Sequence, residues 1–207
     1  MKMLAALLLA LLPVSAFSEE TFVRISLPEK VSVALPKNWT VMTKGQVAKL
    51  DEFVQSGLAK HDLYDASHVL DFAANYFVSK ESPAYAKFNI RYYQDLELTQ
   101  QDAKAFSEGE IKELDRVIRE GVESSGKVFG TSVIEWRGTE RKDLNGVTVF
   151  ISEYTRTPSH NAGDFCVRLV RIFRGKSSFT ITVSYQLERE RELRPVCDSI
   201  INSIEAR

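Results

Sequence analysis

Between Phe179 and Leu187 the chain alternates without a break. Phe179, Ile181, Val183, Tyr185 and Leu187 are apolar, and Thr180, Thr182, Ser184 and Gln186 between them are polar. Successive side chains of a β-strand point to opposite faces, so this segment reads as a strand with one apolar and one polar side. The apolar side has to be covered, which commits the chain to a sheet carrying at least one further layer. The polar side is then open to solvent or only thinly covered. Three more strands precede this one. The segment 131–141 faces 147–155 across Asn145-Gly146, a strong two-residue hairpin signal, and 165–173 faces 178–187 across Gly175-Lys176.

Upstream, Val31, Val33 and Leu35 alternate as a strand, and Pro36-Lys37-Asn38 turns the chain before Trp39 and Val41. Val47, Leu50, Val54 and Leu58 recur at helical spacing and predict a helix over 44–60. Leu70, Phe72, Ala74, Tyr76 and Val78 line one strand, and Phe88, Ile90 and Tyr92 line the next. Thr99 with Asp102 three residues on predicts a helix start. That long helix should stop near Ser124-Ser125-Gly126. A last helix from about Glu188 carries the stripe Leu193, Val196, Cys197, Ile200 and Ile204. The expected order is ββαββαββββα: an α+β fold with a largely antiparallel sheet and helices laid on it as an α/β/α-type sandwich.

The N-terminus predicts the compartment. Lys2 precedes an apolar run from Leu4 to Val14, and the small residues Ser15, Ala16 and Ser18 follow. This is the pattern of a secretory signal peptide, and the run falls short of the ~20 residues that span a bilayer. Residues 1–18 are therefore expected to be removed, with cleavage after Ser18 preferred to cleavage after Ala16, leaving a single globular domain over 19–207. The mature protein should be periplasmic or secreted, with no membrane span. Twelve Phe and a hydrophobic fraction of 44% exclude a disordered chain, and a net charge of -1 gives no footing for nucleic acid. Two Cys are too few for a Cys-based zinc site. In an exported domain they predict one disulfide, Cys166–Cys197.

Catalytic motifs are missing. There is no G-x-S-x-G, H-E-x-x-H, C-x-x-C or G-x-G-x-x-G. Gly175-Lys176-Ser177 resembles the end of a phosphate loop, but Val170 stands where its first Gly belongs and a hairpin replaces the helix. Were residues 61–68 helical, His61, Asp65 and His68 would share a face that could hold a divalent metal; the alternative is a polar connection after the first helix. His160 and Asn161 lie in the polar loop 156–163, a place that suits recognition. Lys87, Arg91, Arg168 and Arg174 occupy strand positions that could face the Thr/Ser ladder and bind an anion, or else pair with acids on a covering helix.

The motif Leu35-Pro36-Lys37-Asn38-Trp39 after an early strand, the long mid-chain helix before a run of strands, and the ending Ser199-Ile200-Ile201-Asn202-Ser203-Ile204 together resemble the PsbP-like family. That family includes the extrinsic photosystem II subunit, the bacterial DcrB-like proteins and a Ran-binding protein. The resemblance implies the sandwich fold and an accessory or binding role without shared catalytic residues, and it transfers no site residue. The expected function is an exported, non-enzymatic binding protein of the cell envelope with a protein partner and no cofactor. The competing readings are an immunity or inhibitor protein against a secreted toxin or enzyme, and a metal-dependent hydrolase built on the His61–His68 cluster.

Overall fold

The computed structural model describes residues 21–27, 30–63, 68–77, 85–158 and 163–206. Its main sheet has seven antiparallel strands in the order β3 (Thr40–Val41), β4 (His68–Tyr76), β5 (Ala86–Leu98), β9 (Gly175–Gln186), β8 (Phe165–Phe173), β7 (Val147–Arg156) and β6 (Val133–Leu144). A second sheet joins β1 (Phe22–Ser26), β2 (Val31–Pro36) and the short β10 (Glu205–Ala206). The helices are α1 (Lys44–Ala59), α2 (Gln100–Ala105), α3 (Glu108–Val128) and α4 (Glu190–Asn202). The fold is the expected α+β sandwich, with β1 and β10 added to the strands that the sequence pattern predicts.

The alternation of β9 sorts the layers. Phe179, Ile181, Val183 and Tyr185 are fully buried, in one apolar cluster with Phe88 and Ile90 of β5, Val33 and Leu35 of β2, and Leu193, Cys197, Ile200 and Ile201 of α4. On this side the second sheet and α4 form one layer. The opposite side is covered piecewise. Val47 of α1 packs on Leu70 and Ala73 of β4. Ala103 of α2 packs with Phe150 and Phe173, joined by Ile111 and Leu114 of α3. Further along, Val122 of α3 meets Tyr154, Phe165 and Val167.

Turn chemistry sets the hairpins. Asn145 and Gly146 both adopt positive φ, 52° and 82°, which the tight turn between β6 and β7 requires. The Asn145 amide also donates to the carbonyls of Asn202 (2.9 Å) and Ile204 (2.8 Å), tying that hairpin to the end of α4. Between β8 and β9 the chain turns across Gly175-Lys176 as the spacing predicts, closed by the Arg174 amide donating to the Ser177 carbonyl at 2.8 Å.

The long mid-chain helix is two helices. Thr99 caps α2 and Ser107 caps α3, each with a complete capping box, through Asp102 and Glu110. A second cap only eight residues after the first interrupts the helix at Phe106–Ser107, whose extended backbone lets Phe106 turn onto Phe150 and Phe173. Pro195 lies in the second turn of α4, so one intrahelical donor is lost there.

Two expectations about chemistry are corrected by the backbone. His61 sits in the turn after α1 and His68 begins strand β4, so the helical face that would have gathered His61, Asp65 and His68 is not formed; Asp65 lies outside the described residues. The bond between Cys166 and Cys197 is not formed either. Neither sulfur is in a disulfide, and both residues are buried in the same apolar cluster. Cys166 is instead level with Tyr185 on the neighbouring strand, and its sulfur is hydrogen-bonded to the Tyr185 hydroxyl.

Candidate functional site

The polar half of the β9 alternation faces away from α4. Pairing sets Lys87, Asn89 and Arg91 of β5 against Ser184, Thr182 and Thr180. On the other side of β9, Val167, Leu169 and Arg171 of β8 are level with the same three residues. With α1 over β4 and α2 and α3 over the β6–β8 side, this strip runs between the two helical coverings. It is not open to solvent, for Ser178, Thr180, Ser184 and Gln186 are all buried.

Long cationic side chains supply the cover at one end. Lys87 reaches from β5 across β9 until its Nζ lies 5.7 Å from the centre of the Phe165 ring on β8. The Arg156 guanidinium comes from β7 to within 5.6 Å of the same ring. Cation–π contact contributes about 0.5–1 kcal/mol at such sites, but it brings two like charges together. Burial, and then repulsion from Arg156, pushes the Lys87 ammonium below its ordinary value although the residue as a whole is exposed. Burial lowers Arg156 as well, and the Tyr154 hydroxyl beneath it is pushed up to about 12 by its own desolvation.

About four residues along β9, or roughly 13 Å at strand spacing, lies a second pair of cations. Arg91 and Arg171 flank Thr180 from the two neighbouring strands. Arg91 ion-pairs with Asp51 of α1 at 3.1 Å, with both side chains under 20% exposed (18% and 17%). Arg171 has no such partner, and burial lowers its pKa with only Tyr93 opposing the shift. Among the described residues, Lys87, Arg156 and Arg171 have no carboxylate within 4 Å. Desolvated charge without a counter-charge is expensive, and it concentrates at binding sites.

The other candidates fall elsewhere. Arg168 faces α4 on the opposite side of the sheet, where it ion-pairs with Glu153 at 3.1 Å and with Asp198 of α4. Glu153 also receives Arg137 at 2.6 Å and Arg194 at 3.2 Å. Burial raises its pKa, but the Arg137 hydrogen bond and the charges of Arg168 and Arg194 outweigh that and hold it below the usual carboxylate value. This is a pairing network between sheet and helix, the alternative to ligand binding, so Arg168 is not part of the cationic strip. Arg174 lies in the turn between β8 and β9. His160 and Asn161 lie outside the described residues. His61 lines a shallow hollow of about 270 Å³ with Leu63, Ser124, Lys127 and Val128, beside the C-terminal ends of α1 and α3. No group of metal ligands occurs among the described residues.

Arg156 and Arg171 were missed by sequence reasoning. Arg171 had a local signal: hairpin register counted back from Gly175 sets it opposite Thr180. Arg156 had none, since its neighbourhood with Lys87 depends on strand order.

No protein-family model matches the sequence, and no curated protein matches it. Among solved structures, PsbP (CyanoP) from the cyanobacterium Synechocystis superimposes with a TM-score of 0.58 at 13% identity, covering 95% of this chain and 99% of that one. A protein from Bacteroides thetaiotaomicron follows at TM-score 0.45 and 10% identity, over 89% of this chain and 48% of its own. LpqN, described as involved in cell envelope biogenesis of Mycobacterium tuberculosis, reaches 0.43 at 11% identity, over 89% of each chain. The fold of this protein is PsbP-like. No helix among the described residues is long and apolar enough to cross a membrane.

Proposed function

We propose that the protein is an exported accessory protein of the cell envelope that acts by binding an acidic protein partner and catalyses nothing. The observation that carries the binding half is the convergence of Lys87 and Arg156 on Phe165 with no carboxylate among the described residues to answer them. An aspartate or glutamate from a partner would neutralise both cations at once, and charge-assisted hydrogen bonds of this kind are short and strong. The signal-peptide pattern of residues 1–18 supports export, and the resemblance to the PsbP-like family implies an accessory or binding role.

Two experiments test the two halves. In capture from the native envelope, the wild-type protein should retain a partner that is released by raising the salt concentration, and Lys87→Glu with Arg156→Glu should lose it while staying folded. Equal capture by the double variant overturns the assignment of the site. Replacing His61, His68 and His160 together by Ala should leave both the fold and the cellular role intact; loss of the role from a folded protein would favour catalysis.

A further inference from the structure

We propose that the cross-strand row Arg91–Thr180–Arg171 binds one small oxyanion, a free carboxylate or a singly charged phosphate, through the Arg171 fork and the Thr180 hydroxyl. The inference stands apart from the partner site at Lys87 and Arg156.

Three observations meet at this row. The Thr180 side chain is buried, with the residue 6% exposed, and its Oγ1 has no hydrogen-bond partner among the described residues. Buried hydroxyls in native proteins nearly always have one. Register places a guanidinium on each side of that hydroxyl, on adjacent strands, close enough for side chains to touch. The charges do not cancel. Asp51 answers Arg91, and no carboxylate among the described residues answers Arg171. A buried lysine could shed its proton, but arginine cannot, so the charge of Arg171 has to be met by another group. One positive charge in excess beside one unused hydroxyl fits a monoanion. The planar fork favours an oxyanion with two oxygens in line over a spherical halide.

The test titrates the purified mature protein with acetate, inorganic phosphate and chloride at constant ionic strength, following melting temperature and the amide resonances of residues 169–173 and 178–182. Acetate or phosphate should give a saturable response centred on Thr180 and Arg171, and whichever is tighter names the class. Chloride should give none beyond the ionic-strength effect. Arg171→Lys keeps the charge but loses the fork and should weaken binding at least ~tenfold. Asp51→Asn frees Arg91 and should tighten it. Thr180→Val should weaken binding while leaving the anion-free protein at least as stable as wild type, because it removes an unsatisfied buried hydroxyl. No saturable response, an equal response to chloride, or unchanged affinity in Arg171→Lys and Thr180→Val each overturns the proposal. Lys87→Glu should abolish partner capture without abolishing anion binding, which separates the two sites.

Discussion

Glu153 of β7 and Arg168 of β8 are direct cross-strand neighbours that also ion-pair, at 3.1 Å, under the cover of α4. Arg137 and Arg194 reach the same carboxylate, so Glu153 is shared by three guanidiniums, each of which also pairs with a second acid: Glu135, Asp198 and Glu190. Its pKa is held below the ordinary value of 4.5 in the folded state. The stabilisation is therefore complete above that value and fades as pH falls through the folded value. Glu153→Gln should lower stability at neutral pH by about 2 kcal/mol, since three guanidiniums lose their shared, largely buried acid and keep only their outer ones. In urea unfolding, the gap from wild type should narrow as pH drops below the ordinary glutamate value. A gap that persists unchanged in acid would mean the loss is one of shape and not of charge.

Ile200 is fully buried in the main apolar cluster, between the sheet and α4. Ile200→Ala should reduce stability by about 3 kcal/mol through lost transfer energy and the cavity left behind. Denaturant midpoints with unchanged slopes would show this; a change inside the ~0.5 kcal/mol surface range would contradict the burial.

Both thiols are enclosed, and burial raises the pKa of Cys166, against the opposing hydrogen bond from Tyr185. The native protein should react slowly with a thiol reagent at mildly alkaline pH, because the reactive thiolate is scarce and shielded. Unfolding without reductant should release both thiols to the reagent. If none reacts after unfolding, the cysteines are bonded to each other.

Ser107 opens α3 by accepting from the Glu110 amide, at the break that seats Phe106 against Phe150 and Phe173. Ser107→Ala should destabilise the protein by about 1 kcal/mol. Hydrogen exchange should localise the loosening to the first turn of α3. Protection spread evenly over α2 and α3 would show one helix acting as a unit.

Much of the fold was legible because its signals are local. The strict alternation of 179–187, the Asn145-Gly146 turn and the apolar stripe of α4 each depend on neighbours within a few residues, and each element formed where the pattern placed it. The split between α2 and α3 was legible in principle, as Ser107 with Glu110 repeats the pattern of Thr99 with Asp102. At residues 61–68 the sequence left a helical face and a polar connection side by side, because helical spacing on paper says nothing about whether a helix persists. The chain turns at Lys60 and resumes as a strand at His68.

By itself the sequence determined which side of β9 is apolar, where the hairpins turn, and that Thr180, Thr182 and Ser184 share a face; the bulge in β4 that sends Leu70 to the side opposite Phe72 and Ala74 it did not. Only the tertiary structure decided what stands beside them. β9 pairs with β5, far back in the chain, as well as with β8, and this pairing sets Arg91 and Arg171 on either side of Thr180 and lets Lys87 meet Arg156 over Phe165. It also sent Arg168 to the other side, into the acids of β7 and α4. Side-chain alternation records parity along one strand. The order of strands in a sheet is settled by long-range burial of apolar faces, which no short window of sequence contains.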